Sequence, residues 1–224
     1  MPPDTPLPTR ANAHAHAQEH EHGHPNSRTH ARSEGQAEAA EWLQRWAHLL
    51  PAGAPVLDIA CGRGRHLRWL AGRGHPVTGI DRDAAALAAS QDLAEHGQAE
   101  LILADIESGP WPCAGRQWPL VLVTHYLWRP LWPQILASLA PGGLLVYETF
   151  AAGNATVGKP SRPDFLLQPG ELIERCAGLR IIAFEDGFLD DPARFVQRVV
   201  AQRPGPADSL PMRHLLRAAT PPGA

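Results

Sequence analysis

The sequence predicts an α/β fold, a doubly wound, mostly parallel sheet contained in one domain. Three observations carry this. Residues 56–81 (VLDIACGRGRHLRWLAGRGHPVTGID) read as strand, glycine-bearing turn, helix and second strand, the unit that builds parallel sheets. Further short apolar runs follow at 100–104, 118–124 and 144–149. The chain has 224 residues and is 44% hydrophobic, enough for one full core plus appendages.

Residues 1–35 are set apart by composition. Pro2, Pro3, Pro6 and Pro8 combine with alanine and polar residues, and large apolar side chains are nearly missing. Such a segment is predicted to be disordered. Its His14, His16, His20, His22, His24 and His30 could bind a transition metal adventitiously, but nothing spaces them on a rigid element, so no metal site is expected. A helix over 36–50 follows, capped by Ser33, with Trp42, Trp46, Leu49 and Leu50 on one apolar stripe and Leu43 widening it. Pro51 and Gly53 end it. Residues 83–95 read as an alanine-rich helix closed by Gly97, and 100–104 as the third strand.

The near-continuous apolar run 118–124 suits a central strand. Pro130 begins a helix predicted to reach Ala140, and Pro141-Gly142-Gly143 forms a break before the fifth strand at 144–149. Residues 150–168 lack periodicity and carry Gly153, Gly158, Pro160 and Pro163; a long loop after a central strand can cap a substrate pocket. A helix at 169–177 and two strands at 179–188 and 194–203 complete the 36–203 domain, with a turn at Asp190-Asp191-Pro192. The Pro-rich extension 204–224 adds a short helix at 210–217.

The net charge of −3 shows no broadly basic nucleic-acid surface, although a local patch remains open. No apolar run approaches the ~20 residues that cross a bilayer, and no secretion signal is visible. Cys61, Cys113 and Cys176 are odd in number and widely spaced, which points to a reducing, cytoplasmic setting without a zinc knuckle. The oligomeric state is open.

The chemistry concentrates at 56–81. Gly62 and Gly64 let a ligand approach the backbone, and the helix behind them offers free N–H groups. Asp81 lies at the carboxyl end of the second strand, where such sheets bind ligands, and its carboxylate can accept both ribose hydroxyl hydrogens. Dinucleotide folds place a third glycine where Leu67 stands. Asp58, inside the first strand, would repel a pyrophosphate but attract an ammonium or sulfonium. S-adenosylmethionine carries both, together with a ribose, and is favoured over NAD.

The stretch DIACGRGRHLRWLA followed by TGID resembles the first two motifs of the class I S-adenosylmethionine-dependent methyltransferases. ILADIE (102–107), WPLVLVTHYL (118–127) and LAPGGLLVYETF (139–150) continue the resemblance, and DFLLQPGEL (164–172) resembles the tellurite-resistance-type branch. The resemblance implies seven strands in the order 3-2-1-4-5-7-6 with the last antiparallel. It implies a cofactor set of Asp58, Ala60, Cys61, Gly62, Gly64, Arg65, Asp81, Arg82, Asp105, Ile106 and Thr124, with Asp105 and the Ile106 backbone N–H at the adenine. For Asp105 the alternative is a turn or cap residue, and for Cys61 a small buried side chain. Arg65 is a candidate for the methionine carboxylate.

Methyl transfer from a sulfonium is an in-line displacement that needs alignment and exclusion of water more than a fixed catalytic group. His125, Tyr126 and Arg129, leaving the fourth strand, are the candidate catalytic residues. His125 could accept a proton, Tyr126 could orient the acceptor, and Arg129 could hold an anion or only form an ion pair. Thr124-His125-Tyr126-Leu127 replaces the Asn/Asp-Pro-Pro-Tyr/Phe signature of nucleic-acid amine methyltransferases. The expected acceptor is a small molecule, with oxyanions of tellurium or selenium and thiols as the suggested classes. RNA or protein as acceptor, and a non-catalytic S-adenosylmethionine-binding module, are the alternatives.

Overall fold

Strand and helix boundaries follow from the alternation of apolar side chains. The structure of the protein, a computed structural model, describes residues 38–206 and 213–216. The strands are β1 (Val56–Ile59), β2 (Val77–Asp81), β3 (Ala99–Leu103), β4 (Trp118–Thr124), β5 (Leu139–Phe150), β6 (Arg180–Asp190) and β7 (Ala193–Gln202). They form one sheet in the order β3-β2-β1-β4-β5-β7-β6, as the sequence predicts. The first five are mutually parallel, and β7 runs antiparallel to both β5 and β6.

Successive side chains on a strand face opposite sides, so the sheet has two apolar faces. Leu57, Ile59, Val121, Val123, Leu145 and Tyr147 meet Trp132, Ile135 and Leu172 on one face. Val56, Leu120, Leu122, Leu144 and Val146 meet Trp42, Leu43, Trp46, Leu67 and Leu70 on the other. The helices α1 (Glu41–Trp46), α2 (Arg65–Ala71), α3 (Ala84–Ala88) and α4 (Gln91–Glu95) cover the second face, and α5 (Trp132–Ala137) and α6 (Glu171–Arg175) the first.

The helices are shorter than periodicity suggests. α1 begins at Glu41 rather than Gln36, and a 3₁₀ turn (Ala47–Leu49) extends it; Leu50, held extended before Pro51, then ends the run. Ser33 lies outside the described residues. The helix predicted over 83–95 is two helices. Asp83 caps α3 by accepting from the Ala85 and Ala86 N–H groups, and Ser90 interrupts the run. The Ser90 side chain turns inward, and its hydroxyl donates to the Arg63 carbonyl at 3.1 Å. After β4, a 3₁₀ turn (Arg129–Leu131) takes Pro130, and Pro133 falls in the first turn of a new helix, α5. β5 starts at Leu139, not Leu144. Trp118 pairs with Leu139 but Leu120 with Leu144, so Pro141, Gly142 and Gly143 form an irregularity within the ladder rather than a break before it.

The predicted helix at 169–177 is observed as α6 alone. Residues 213–216 are not helical, and the rest of 210–217 lies outside the described residues, as do the histidine-rich residues before 38. No helix among the described residues is long and apolar enough to cross a membrane.

Candidate active site

The carboxyl ends of β1, β2 and β4 meet at the glycine turn. Ala60 (φ 56°) and His125 (φ 53°) both take left-handed backbone where these strands end, which swings the following residues across the sheet edge. The turn closes through the Gly64 N–H to the Cys61 carbonyl at 3.0 Å. Asp81 pins it from the side: one carboxylate oxygen accepts the Gly62 N–H at 2.7 Å and the other the Asp83 N–H at 2.9 Å. A carboxylate has about four lone-pair positions, so acceptor capacity for a ribose remains. Gly79, beneath, is where Leu67 and Cys61 press on β2; a Cβ there would stand 2.7 and 2.9 Å from their side chains.

A cavity of about 200 Å³ opens beside this turn, lined by Ala60, Asp81, Arg82, Ala104, Asp105, Ile106, Glu107 and Tyr126. Six of these are residues the sequence assigns to the site. Asp105 accepts the Glu107 N–H at 3.0 Å and the Ser108 hydroxyl at 2.5 Å; these bonds, the Ser108 one above all, hold its pKa below the ordinary aspartate value. The turn role is therefore present: Oδ1 takes the backbone N–H groups and Oδ2 the Ser108 hydroxyl, and a carboxylate with about four lone-pair positions keeps some acceptor capacity beyond these. Arg82 is exposed and lies 3.7 Å from Glu107. The Tyr126 hydroxyl is buried without a hydrogen-bond partner, and burial together with the nearby Glu107 carboxylate pushes its pKa up.

Asp58 is fully buried on β1, and neither of its carboxylate oxygens has a hydrogen-bond partner. His66 of α2 lies beside it, with Nδ1 3.6 Å from Asp58 Oδ2 and 3.4 Å from the Thr124 hydroxyl. Cys61 is buried; burial first, then Asp58 and Asp81, push its thiol pKa up, so it stays a neutral packing group. Arg65 is half-buried and makes no hydrogen bond or ion pair among the described residues.

At the end of β4, the His125 ring packs on Phe150 (centroids 5.1 Å apart) with Nε2 3.8 Å from Glu148. Partial burial, and then the charges of Arg65, Arg194 and His66, bring its pKa down to about 4. It is therefore a neutral imidazole at pH 7, in surroundings that disfavour its protonation. Arg129 is committed elsewhere. Its fork grips the Glu171 carboxylate through Nε and Nη2, both at 2.8 Å, and donates to the Asp164 and Leu166 carbonyls at 2.9 and 3.0 Å. The ion-pair reading of Arg129 is the one this geometry displays, and it fastens the 150–168 loop to α6.

His66, Glu148 and Arg194 were not singled out by the sequence. His66 sits inside the glycine motif but reads as one more helical residue. Glu148 lies in an apolar strand, and Arg194 lies far along the chain. Among the described residues no cluster of three or more His, Cys, Asp or Glu could hold a metal ion.

A buried, unpartnered carboxylate at the β1 end suits an ammonium. An acidic residue closing β2 and a cavity between the β2 and β3 ends suit an adenosine. The fold is thus Rossmann-like, with its candidate ligand site at the carboxyl ends of β1, β2 and β3. Residues 56–143 match the family model described as a methyltransferase domain. No curated protein matches the chain. Solved structures share the fold. TehB from Haemophilus influenzae superposes with TM-score 0.57 at 20% identity over 70% of this chain and 60% of its own, so this chain spans under two-thirds of that protein. A SAM-dependent methyltransferase from Methanosarcina mazei gives 0.58 at 17% identity over 75% and 100%. A TehB-like SAM-dependent methyltransferase from Corynebacterium glutamicum gives 0.55 at 21% over 73% and 87%. Residues 56–143 thus carry a methyltransferase domain, and the strand order of the sheet is the one these S-adenosylmethionine-dependent methyltransferase structures share.

Proposed function

We propose that the protein transfers the methyl group to a small anionic acceptor, with Arg194 and His125 beside the reacting centre. The observation that carries this is Arg194. It lies close enough to lower the His125 pKa, its Nη1 donates to the Pro192 carbonyl, and its Nε is buried with no partner. A buried, unpaired guanidinium N–H calls for an acceptor atom. When bound, S-adenosylmethionine supplies an electrophilic methyl on a sulfonium. The chain's own residues do the rest. Asp58 meets the ammonium, Arg65 the carboxylate, Asp81 the ribose, and Asp105 with the Ile106 N–H the adenine. Ala60, Cys61, Gly62, Gly64, Arg82 and Thr124 shape the walls. His125, neutral at pH 7, accepts a hydrogen bond from an acceptor that carries a proton, and Tyr126 orients it.

Arg129 ties down the loop 150–168 through the Asp164 and Leu166 carbonyls, and a fastened loop after β5 favours a small acceptor over a long polymer. The test is transfer of labelled methyl to matched pairs of small acceptors, anionic and neutral, including selenite, tellurite and carboxylated thiols, alongside bulk RNA and protein. Anionic acceptors should be preferred, and Arg194→Met should raise their KM at least about tenfold while leaving the Kd for S-adenosylmethionine unchanged. Labelling of RNA or protein with none of the small acceptors would refute the reading, and so would preference for the neutral partner of each pair.

A further inference from the structure

His66 is the residue the cofactor reading leaves without a task. It is 2% exposed, and its Nε2 is buried with no partner. It reaches its place because Gly64 takes left-handed backbone (φ 75°) immediately before α2, so the second helical residue turns back beneath the strand ends. There its Nδ1 stands between Asp58 on β1 and Thr124 on β4. A carboxylate at 0% exposure with two unpartnered oxygens is costly unless donors converge on it. The charged and titratable groups near Asp58 and His66 are Asp81 and the Cys61 thiol, which feels both Asp58 and Asp81, and His125, which feels His66 together with Arg65 and Arg194. None of these donates a hydrogen bond to Asp58. His66 Nδ1 at 3.6 Å is an ion-pair distance, slightly too long for a hydrogen bond.

We propose that His66 is a positioning residue: through Nδ1 it orients the buried Asp58 carboxylate toward the ammonium of S-adenosylmethionine, and so sets selectivity for the amino-acid end of the cofactor. Two donors, one from α2 and one from the ligand, then satisfy the oxygens that the fold leaves bare. Thr124, at 3.4 Å, holds the imidazole in place. The proposal rests on the cofactor site alone and is independent of the acceptor.

The experiment is calorimetric titration of the full chain with S-adenosylmethionine and, in parallel, with 5′-methylthioadenosine, which keeps the adenosine and lacks the amino-acid end. An asparagine amide can mimic Nδ1, whereas a glutamine amide reaches the Nε2 position. His66→Asn should keep S-adenosylmethionine affinity within about threefold. His66→Gln should lose about tenfold or more, the scale of one charge-assisted hydrogen bond, with methylthioadenosine affinity unchanged in both. Thermal unfolding verifies that each variant is folded. Should His66→Gln fail to fold, Asp58→Asn reads the same selectivity, with loss confined to S-adenosylmethionine. Equal losses for both ligands, or equal behaviour of the Asn and Gln variants, would reduce His66 to packing. Failure of the unaltered chain to bind S-adenosylmethionine would instead overturn the cofactor assignment, and this proposal with it.

Discussion

Gly62 and Gly64 stand two positions apart in one turn, yet their surroundings differ. Both need positive φ, 55° and 75°. A Cβ on Gly62 would meet nothing within 4 Å, whereas one on Gly64 would stand 2.0 Å from the Ser90 hydroxyl. Gly62→Ala should therefore cost only the backbone strain, about 1 kcal/mol. Gly64→Ala should cost about 3 kcal/mol, because overpacking adds to the strain. Urea unfolding of the two variants checks the difference. Asp81→Ala should weaken S-adenosylmethionine binding at least about tenfold, since it removes the proposed ribose acceptor and frees the Gly62 N–H together; unchanged affinity by calorimetry would place the ribose elsewhere. His125 has a folded-state pKa near 4 against an ordinary 6.5. The fold therefore prefers the neutral ring. Its contribution is complete above pH 6.5 and drains away as pH falls toward 4. The wild-type urea midpoint should fall more steeply over that range than that of His125→Asn, a residue that tolerates the left-handed backbone. An NMR titration midpoint near 6.5 would contradict this. At this scale the placement of the glycines, Asp58 and Asp81 at the turn and strand ends was legible because one continuous motif carries them. His66, Glu148 and Arg194 were not, because their meaning lies in contacts across the sheet.

Strands proved more legible than helices. A strand's alternation is read by both faces of the sheet, and β4 has the predicted bounds. Helix ends are set by contacts the sequence does not display: Ser90 bonding to the Arg63 carbonyl splits one helix, and a 3₁₀ turn that accommodates Pro130 splits another. The loop 150–168 shows the same dependence on distant partners. Asn154 is buried, donating to the Pro160 carbonyl and accepting the Phe195 N–H, and Arg129 grips Glu171 of α6. Burial alone would raise the Glu171 pKa, but the bonds from Arg129, the Gln168 N–H and Arg175 outweigh it and hold the carboxyl below its ordinary value. The pair thus stabilises the fold above the ordinary glutamate pKa of 4.5, and the stabilisation is lost as pH falls below it. Arg129→Met should cost about 2 kcal/mol at pH 7, between the values of exposed and buried pairs, and much less at pH 3.5. Guanidinium unfolding at the two pH values reads this, and an equal loss at both would assign the effect to packing.

The two ends of the described chain are joined over the sheet. The Trp42 indole N–H donates to the Val199 carbonyl at 3.3 Å, and the Arg198 guanidinium lies 4.6 Å from the Trp42 ring centroid. Arg198 of β7, almost buried, also reaches Glu41 of α1 at 3.0 Å, Glu185 of β6 and Glu148 of β5 at 3.4 Å. One guanidinium therefore links the first helix, the central sheet and the final hairpin, and it is also the counter-charge of the carboxylate behind His125. Removing one partner of such a pair leaves the other buried and unpaired, which costs more than the pair is worth. Arg198→Met should accordingly destabilise the protein by about 3 kcal/mol, and adding Glu148→Gln should restore most of that, because the stranded charge is then gone. Denaturant unfolding of the wild type, both single variants and the double variant closes the cycle. If the second substitution adds to the loss, Glu148 is held by groups other than Arg198, and the link between α1 and the sheet rests on the Trp42 packing alone.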